Sequence, residues 1–245
     1  MAAKKADQDR KARIAQMQRE AKAAERRRTL LIVGVAVVAV VAIAAAVTFS
    51  IIADDSRVPG GELKSLGVAA SAASCDPITN DPTTGSGTHV GPGTDKPDVT
   101  SVKYSTVPPT SGEHFVTPEY PNRQFYTADD RPRMETLVHN LEHGYSILWY
   151  DDTASTSQIS DLKAITREAN KQADAQDKFI VSAWDTAYGA FPSGKHFAIS
   201  HWSADQQDTT KQTGHRELCG NVSGEVVAKF IDAHPRTEAP EPNAQ

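Results

Sequence analysis

The alternation of apolar and polar positions divides the chain into five stretches. Residues 1–28 are rich in Ala, Lys, Arg, Gln and Glu and almost free of bulky apolar side chains, which predicts a solvated helix or an unstructured arm. Residues 29–53 carry no charged side chain at all. At ~1.5 Å rise per residue that run is roughly 37 Å long as a helix, enough to cross a ~30 Å hydrocarbon core with some tilt. Residues 54–74 include Pro59, Gly60, Gly61 and many small side chains, the composition of a linker. Residues 75–235 mix apolar runs with turn signals and are read as one globular domain, and residues 236–245 are Pro-rich and polar and are expected to be disordered.

Within the domain the first third is loop-like, dense in Gly, Pro, Ser and Thr. Short strands are predicted at Val99–Tyr104 and Tyr145–Tyr150, and buried strands rich in branched and aromatic residues at Lys178–Trp184 and His196–Trp202. Pro132 near a first turn and Gly144 as a stop frame a short helix over Arg133–His143. Ile159, Leu162, Ile165 and Ala169 recur at helical spacing within Thr156–Gln176. Gly224–Ala233 reads as a last helix burying Val226, Val227, Phe230 and Ile231. This order of elements predicts an α+β domain: a small mixed sheet, two or three helices and a loop-rich N-terminal third, preceded by one transmembrane helix.

Charge sharpens the membrane reading. Residues 1–28 carry ten Lys/Arg against four Asp/Glu, a balance of +6, while the remainder stands at −11. The basic flank ahead of the apolar run predicts a cytoplasmic N-terminus and a domain on the far side of the membrane, a single-pass protein of the cell membrane. Basic side chains beside the span also suit anionic headgroups. Cleavage after Ala44–Ala46, as in a signal peptide, and twin-arginine export at Arg27-Arg28 are weaker alternatives, because the apolar run continues past the alanines and basic residues crowd any such flank. A basic patch on the folded domain is what nucleic acid would require, and the domain is acidic, so nucleic acid is set aside. The two cysteines, Cys75 and Cys219, both fall on the exported side, where an oxidising compartment favours a bridge between them.

All eight histidines lie in the domain. His89 sits in GTHVGPG, His114 in PPTSGEHF, and His139 and His143 in HNLEHG. On a helix the last two share a face one turn apart, so one metal ion can bridge them while Gly/Pro loops deliver His89 and His114. Imidazole suits zinc and copper alike. Glu142 would flank the ligands, and Met134 would matter only to copper(I). The same side chains can instead satisfy backbone groups of the loops, which would make the domain a non-enzymatic envelope interaction module with a protein partner unknown.

The run GTHV, Tyr104, PPTSGEHF and LVHNLEHGYSILWY resembles the actinobacterial family known as domain of unknown function 3105. The resemblance covers residues 75–235, with HNLEHG and PPTSG-x-H as its most specific pieces. It implies a membrane span joined to an exported domain, marks His89, His114, His139 and His143 as motif positions, and brings no activity with it. A third reading takes His139-Asn140-Leu141-Glu142-His143 as H-x-x-E-H, a metal-dependent hydrolase signature with Glu142 as base and Glu217 as a formal third ligand. The helix stops at Gly144 and no second long helix offers a suitable Glu, which weighs against it. Ser111 beside His114 lacks a nucleophile elbow, Trp149, Trp184 and Trp202 read as core, His196 and His201 point to opposite faces of one strand, and His215 and His234 read as surface residues.

Overall fold

The computed structural model describes residues 61–120 and 123–244, together with eleven isolated positions between Met17 and Ile43. The chain divides into two compact units, Met1–Arg57 and Val58–Gln245. In the first, the described positions are all helical. Most of the predicted span 29–53, and residues 54–60 of the predicted linker, lie outside the described residues. Among the described residues no helix is long and apolar enough to cross a membrane.

The second unit is a mixed α+β domain. Its strands are β1 (Thr79–Pro82), β2 (His89–Val90), β3 (His114–Phe115), β4 (Phe125–Tyr126), β5 (Ser146–Tyr150), β6 (Phe179–Ala183), β7 (Phe197–Asp205) and β8 (Asp208–Cys219). Its α-helices are α1 (Met134–Glu142), α2 (Thr156–Ala169) and α3 (Gly224–Ala233). Six strands form one sheet in the order β1-β8-β7-β5-β6-β4. The β4, β6 and β5 pairings are parallel, and β5–β7, β7–β8 and β8–β1 are antiparallel. The two remaining strands, β2 and β3, pair with each other in parallel.

Alternation along the strands sorts the core into two layers. Leu148 and Tyr150 of β5, Phe179 and Val181 of β6, and Phe197 and Ile199 of β7 pack with Leu162 and Ile165 of α2 and Val227, Phe230 and Ile231 of α3. The opposite side chains, Ile147, Trp149, Ile180, Ala198 and Trp202, pack with Met134, Leu137, Val138 and Leu141 of α1. Those four recur at i, i+3, i+4 and i+7, one helix stripe, so the polar residues between them are turned toward the loops.

The helix starts have clear local causes. A capping box between Ser155 and Gln158 opens α2, and the Ser223 hydroxyl accepts from the Val226 N–H to open α3. Gly144 closes α1 at φ +89°, and a Cβ there would meet the Arg236 carbonyl at 2.5 Å. Only glycine allows both the turn and the close passage of the C-terminal segment.

Several expectations differ from the structure. Val99–Tyr104 is not a strand, because its backbone is satisfied from the side: the Val102 N–H donates to the buried Glu135 carboxylate. The helix predicted to Gln176 ends at Ala169, where the Asn170 side chain binds the Thr166 and Phe179 carbonyls and the Phe179 N–H. The compact unit begins before Cys75, since Leu63 and Leu66 are buried against α3. The tail predicted to be disordered is tied down through residue 244. Lys178 Nζ donates to the carbonyls of His143, Pro242 and Ala244 at 2.7–2.9 Å. Cys75 and Cys219 form a disulfide with Cα atoms 3.9 Å apart.

Candidate metal centre

Two strands of two residues each put two histidines side by side. His89 of β2 and His114 of β3 are register partners, so both side chains leave the same face of that ribbon. The ribbon lies over α1, whose polar stripe supplies His139 and Glu142. The ring centroids are 5.0 Å apart for His89–His114, 4.9 Å for His89–His139 and 4.5 Å for His114–His139. One donor atom from each of His89, His114, His139 and Glu142 lies within 4.8 Å of all the others. His114, His139 and Glu142 are buried, at 0%, 4% and 1% exposure.

The hydrogen bonds on the outer side fix which ring nitrogens face inward. His114 Nδ1 is 2.7 Å from the Gly112 carbonyl, and His139 Nδ1 is 2.6 Å from the Phe115 carbonyl. A carbonyl only accepts, so Nδ1 of each ring carries a proton and Nε2 is the ring nitrogen turned toward the cluster. Metal-binding histidines are oriented in just this way. Nε2 of His89, Nε2 of His114 and Oε2 of Glu142 are buried with no hydrogen-bond partner. His114 Nε2 and Glu142 Oε2 nevertheless approach to 3.0 Å, a contact that brings two lone pairs together unless a cation lies at the site.

That cation is either a proton on His114 or a metal ion. A proton satisfies one contact and leaves His89 Nε2 unpaired. A metal ion with bonds of ~2.0–2.1 Å holds tetrahedral donors about 3.3 Å apart, and it would engage all four groups once donors now within 4.8 Å of one another draw together. The charge state agrees. The pKa of His139 is lowered to about 4, first by burial and then by the neighbouring His114, against the opposing bond to Phe115, so the ring is neutral at pH 7. Burial works against ionisation of Glu142, but contact with His114 and hydrogen bonds from the Gly87 N–H (2.7 Å) and the Ser86 hydroxyl (3.1 Å) outweigh it and hold the carboxyl below its usual range. A neutral His139 and an ionised Glu142 in one largely buried cluster suit a divalent cation.

The other residues singled out in the sequence fall as follows. His143 is the C-cap of α1 and stands behind His139, Nε2 to Nε2 at 3.0 Å, while Glu142, expected only to flank, takes the fourth position of the converging set. Met134 lies in the apolar layer with Leu137 and Trp149. Glu142 is clamped by Gly87, Ser86 and His114, which leaves it ill placed as the free base that an H-x-x-E-H hydrolase needs. Glu217 is on β8 beside the disulfide, away from the histidines, and the sulfurs next to it are tied to each other. Ser111 Oγ accepts from the Thr84 N–H, and His196 pairs with Asp151 at 2.9 Å. Trp149, Trp184 and Trp202 are core residues. His215 and His234, expected at the surface, are instead stacked on each other at 3.8 Å, with His201 nearby. Sequence reasoning missed the roles of Ser86, Gly87 and Glu241. The first two are anonymous in a Gly/Ser loop, and Glu241 lies in a segment whose composition hides its docking.

The family described as "Protein of unknown function (DUF3105)" matches residues 96–245, and the chain belongs to it. The matched region contains His114, His139, Glu142 and His143, and His89 lies ahead of it. No curated protein and no solved structure matches the chain.

Proposed function

We propose that the domain binds one divalent transition-metal ion through His89, His114, His139 and Glu142, and that it does so at the outer face of a membrane to which the N-terminal segment anchors it. The observation that carries the metal reading is the converging set of donors: Nε2 of His89 and of His114 and a Glu142 oxygen are buried without hydrogen bonds, and Nδ1 of His114 and of His139 is turned out to a carbonyl. Three nitrogens and one oxygen suit zinc, with copper(II) the nearest competitor. Soft copper(I) is disfavoured, because Met134 is packed in the core and both cysteines are in the disulfide. Four protein donors fill a tetrahedron, which favours a structural or carrier site over a catalytic one.

The tether rests on the sequence. The uncharged run at 29–53 follows a +6 segment, and the described helical positions Val33, Val37, Val40, Val41 and Ile43 are each more than half exposed, aliphatic side chains that a bilayer would cover. The disulfide suits an oxidising compartment.

Metal analysis of the purified full-length protein, with thermal melts before and after a chelator, tests the first part. One equivalent of zinc and a melt lowered by the chelator are expected. Metal-free protein with a chelator-insensitive melt would leave the histidines as structural groups of a non-enzymatic envelope module. Protease added to intact cells tests the second part and should digest the domain.

A further inference from the structure

Three of the four inner ligands are buried and His89 is half-buried, so a cation needs a way in. The C-terminal segment supplies one. Glu241 lies against the end of α1, its N–H donating to the Glu142 carbonyl at 3.0 Å. Its carboxylate Oε2 is 3.4 Å from His143 Nε2, and that nitrogen is 3.0 Å from Nε2 of the inner ligand His139. The 3.4 Å separation matches two donors on one ion with bonds of about 2.0–2.1 Å, and the 3.0 Å contact is the hydrogen bond by which His143 reaches the inner ring. His143 belongs to both pairs, so an ion held by His143 and Glu241 can gain His139 before it loses Glu241.

The surroundings give this pair a route to solvent. The Glu241 side chain is 52% exposed, whereas that of His143 is 8% exposed. Glu241 lines a polar cleft of about 460 Å³ together with Ser86 and Gly87. Those two residues are the donors that hold Glu142, so the loop lining the cleft also holds an inner ligand. Lys178 keeps the segment in place by gripping Pro242, Ala244 and the His143 carbonyl together. An exposed carboxylate at the mouth of a cleft draws cations from solution, and an imidazole behind it strips their water stepwise.

We propose that His143 and Glu241 form an outer cation station, through which the ion exchanges between the polar cleft and the inner set of His89, His114, His139 and Glu142. The inference rests on the metal-binding reading above and deepens it: the domain takes up and surrenders its ion, as a carrier does.

The test separates rates from equilibrium in the full-length protein, with zinc as the ligand and a chromophoric chelator reporting uptake and release in stopped flow. Glu241→Ala and the isosteric Glu241→Gln are compared with wild type. Uptake and release are both expected to slow about tenfold, with one zinc per chain retained and the equilibrium affinity changed by less than about threefold, the signature of a lost pathway. Unchanged rates would overturn the station while leaving the inner site standing. Faster release would make Glu241 a retaining lid, and loss of stoichiometric zinc would make it a resident ligand; either result overturns the proposal. Wild type that binds no zinc would remove the underlying reading itself.

Discussion

Two groups of histidines occupy opposite faces of one sheet, and they are built for different chemistry. On the α1 face, His89, His114 and His139 meet Glu142 with donor atoms converging. On the α3 face, His215 of β8 and His201 of β7 are cross-strand partners, and the His234 ring at the end of α3 stacks on His215 at 3.8 Å and lies 6.4 Å from His201. Among the described residues no carboxylate joins this second group in a converging donor set as Glu142 joins the first. His215 is held by Asn80 and Ser203, and His201 Nδ1 faces the Tyr145 carbonyl and the Ser146 hydroxyl. The residue type is the same. What separates a candidate ligand set from a packed row is a counter-charge and a common focus for the lone pairs.

The largest expected effect breaks the comparison at its first member. His114→Ala or His139→Ala should reduce zinc affinity by more than about 100-fold, since each is a direct ligand in the proposed site and even outer groups cost 10–100-fold. His201→Asn should leave one zinc per chain. Equilibrium dialysis with metal quantitation reads both, and loss of zinc in the His201 variant would erase the distinction between the two groups.

The disulfide comes next in size, and it supports the α3 face more than the α1 face. Cys219 ends β8, and Cys75 lies 144 residues before it. The chain-entropy model assigns a loop of that length about 5 kcal/mol, an upper figure where the reduced chain keeps structure. Reduction should therefore lower the denaturant midpoint sharply in chelator-treated protein. A midpoint unchanged by reductant would show that the sheet edge holds without the bridge.

The third effect is a pH dependence to which the second group contributes three of the four histidines with lowered pKa values, His139 of the first group being the other. Burial lowers the pKa of His201 to about 3 and of His215 to about 4, and it lowers that of His234 as well. The unfolded chain, with values near 6.5, then binds protons that the folded chain refuses. Stability is complete above pH ~6.5 and falls with acidification from there toward about 4 for His215 and about 3 for His201, by about 1.4 kcal/mol per pH unit for each group fully engaged. Urea midpoints from pH 7.5 to 4.5 in the presence of chelator measure the slope. His201→Asn should flatten it, and an equal slope in that variant would show that the row is not what titrates.

How much of this was legible in the sequence follows the same division. The α1 cluster was readable because HNLEHG sits on a helix framed by Pro132 and Gly144, where spacing fixes the face, and the helix runs Met134–Glu142. Glu142 was misplaced by that logic. A residue about 100° around from His143 is remote from it on the helix, but the Gly85–Gly87 loop and His114 come to Glu142 from outside, and only tertiary structure shows that. The second group was unreadable. Its members lie on β7, β8 and the end of α3, and β8 itself, DTTKQTGHRELC, is too polar to announce a strand of twelve residues. Its pairing with β7 and β1 supplies what its side chains do not. The tail misled for the opposite reason. A composition suited to disorder is overruled by carbonyl contacts to Lys178, which no composition records.

The smallest effect concerns the segment that joins the two groups, for the chain leaves His234 in one and reaches Glu241 beside the other within seven residues. Lys178 is its clamp, and burial has already lowered the lysine's pKa, so the ammonium is held by the three carbonyls it serves. Lys178→Met keeps an unbranched apolar stem and removes the donors together with the ammonium that lies 5.7 Å from the centre of the Tyr145 ring. The loss should be about 1–3 kcal/mol, the range for hydrogen bonds to a charged group, and it should appear as protease sensitivity of the tail before any change in the core. Zinc stoichiometry and the acid slope should both survive, because neither the α1 ligands nor the α3 row touches the lysine side chain. Limited proteolysis of the variant with mass detection of the released tail decides it. A variant that lost its zinc or its acid slope along with the tail would mean that the two groups are coupled through this segment and cannot be treated as separate sites.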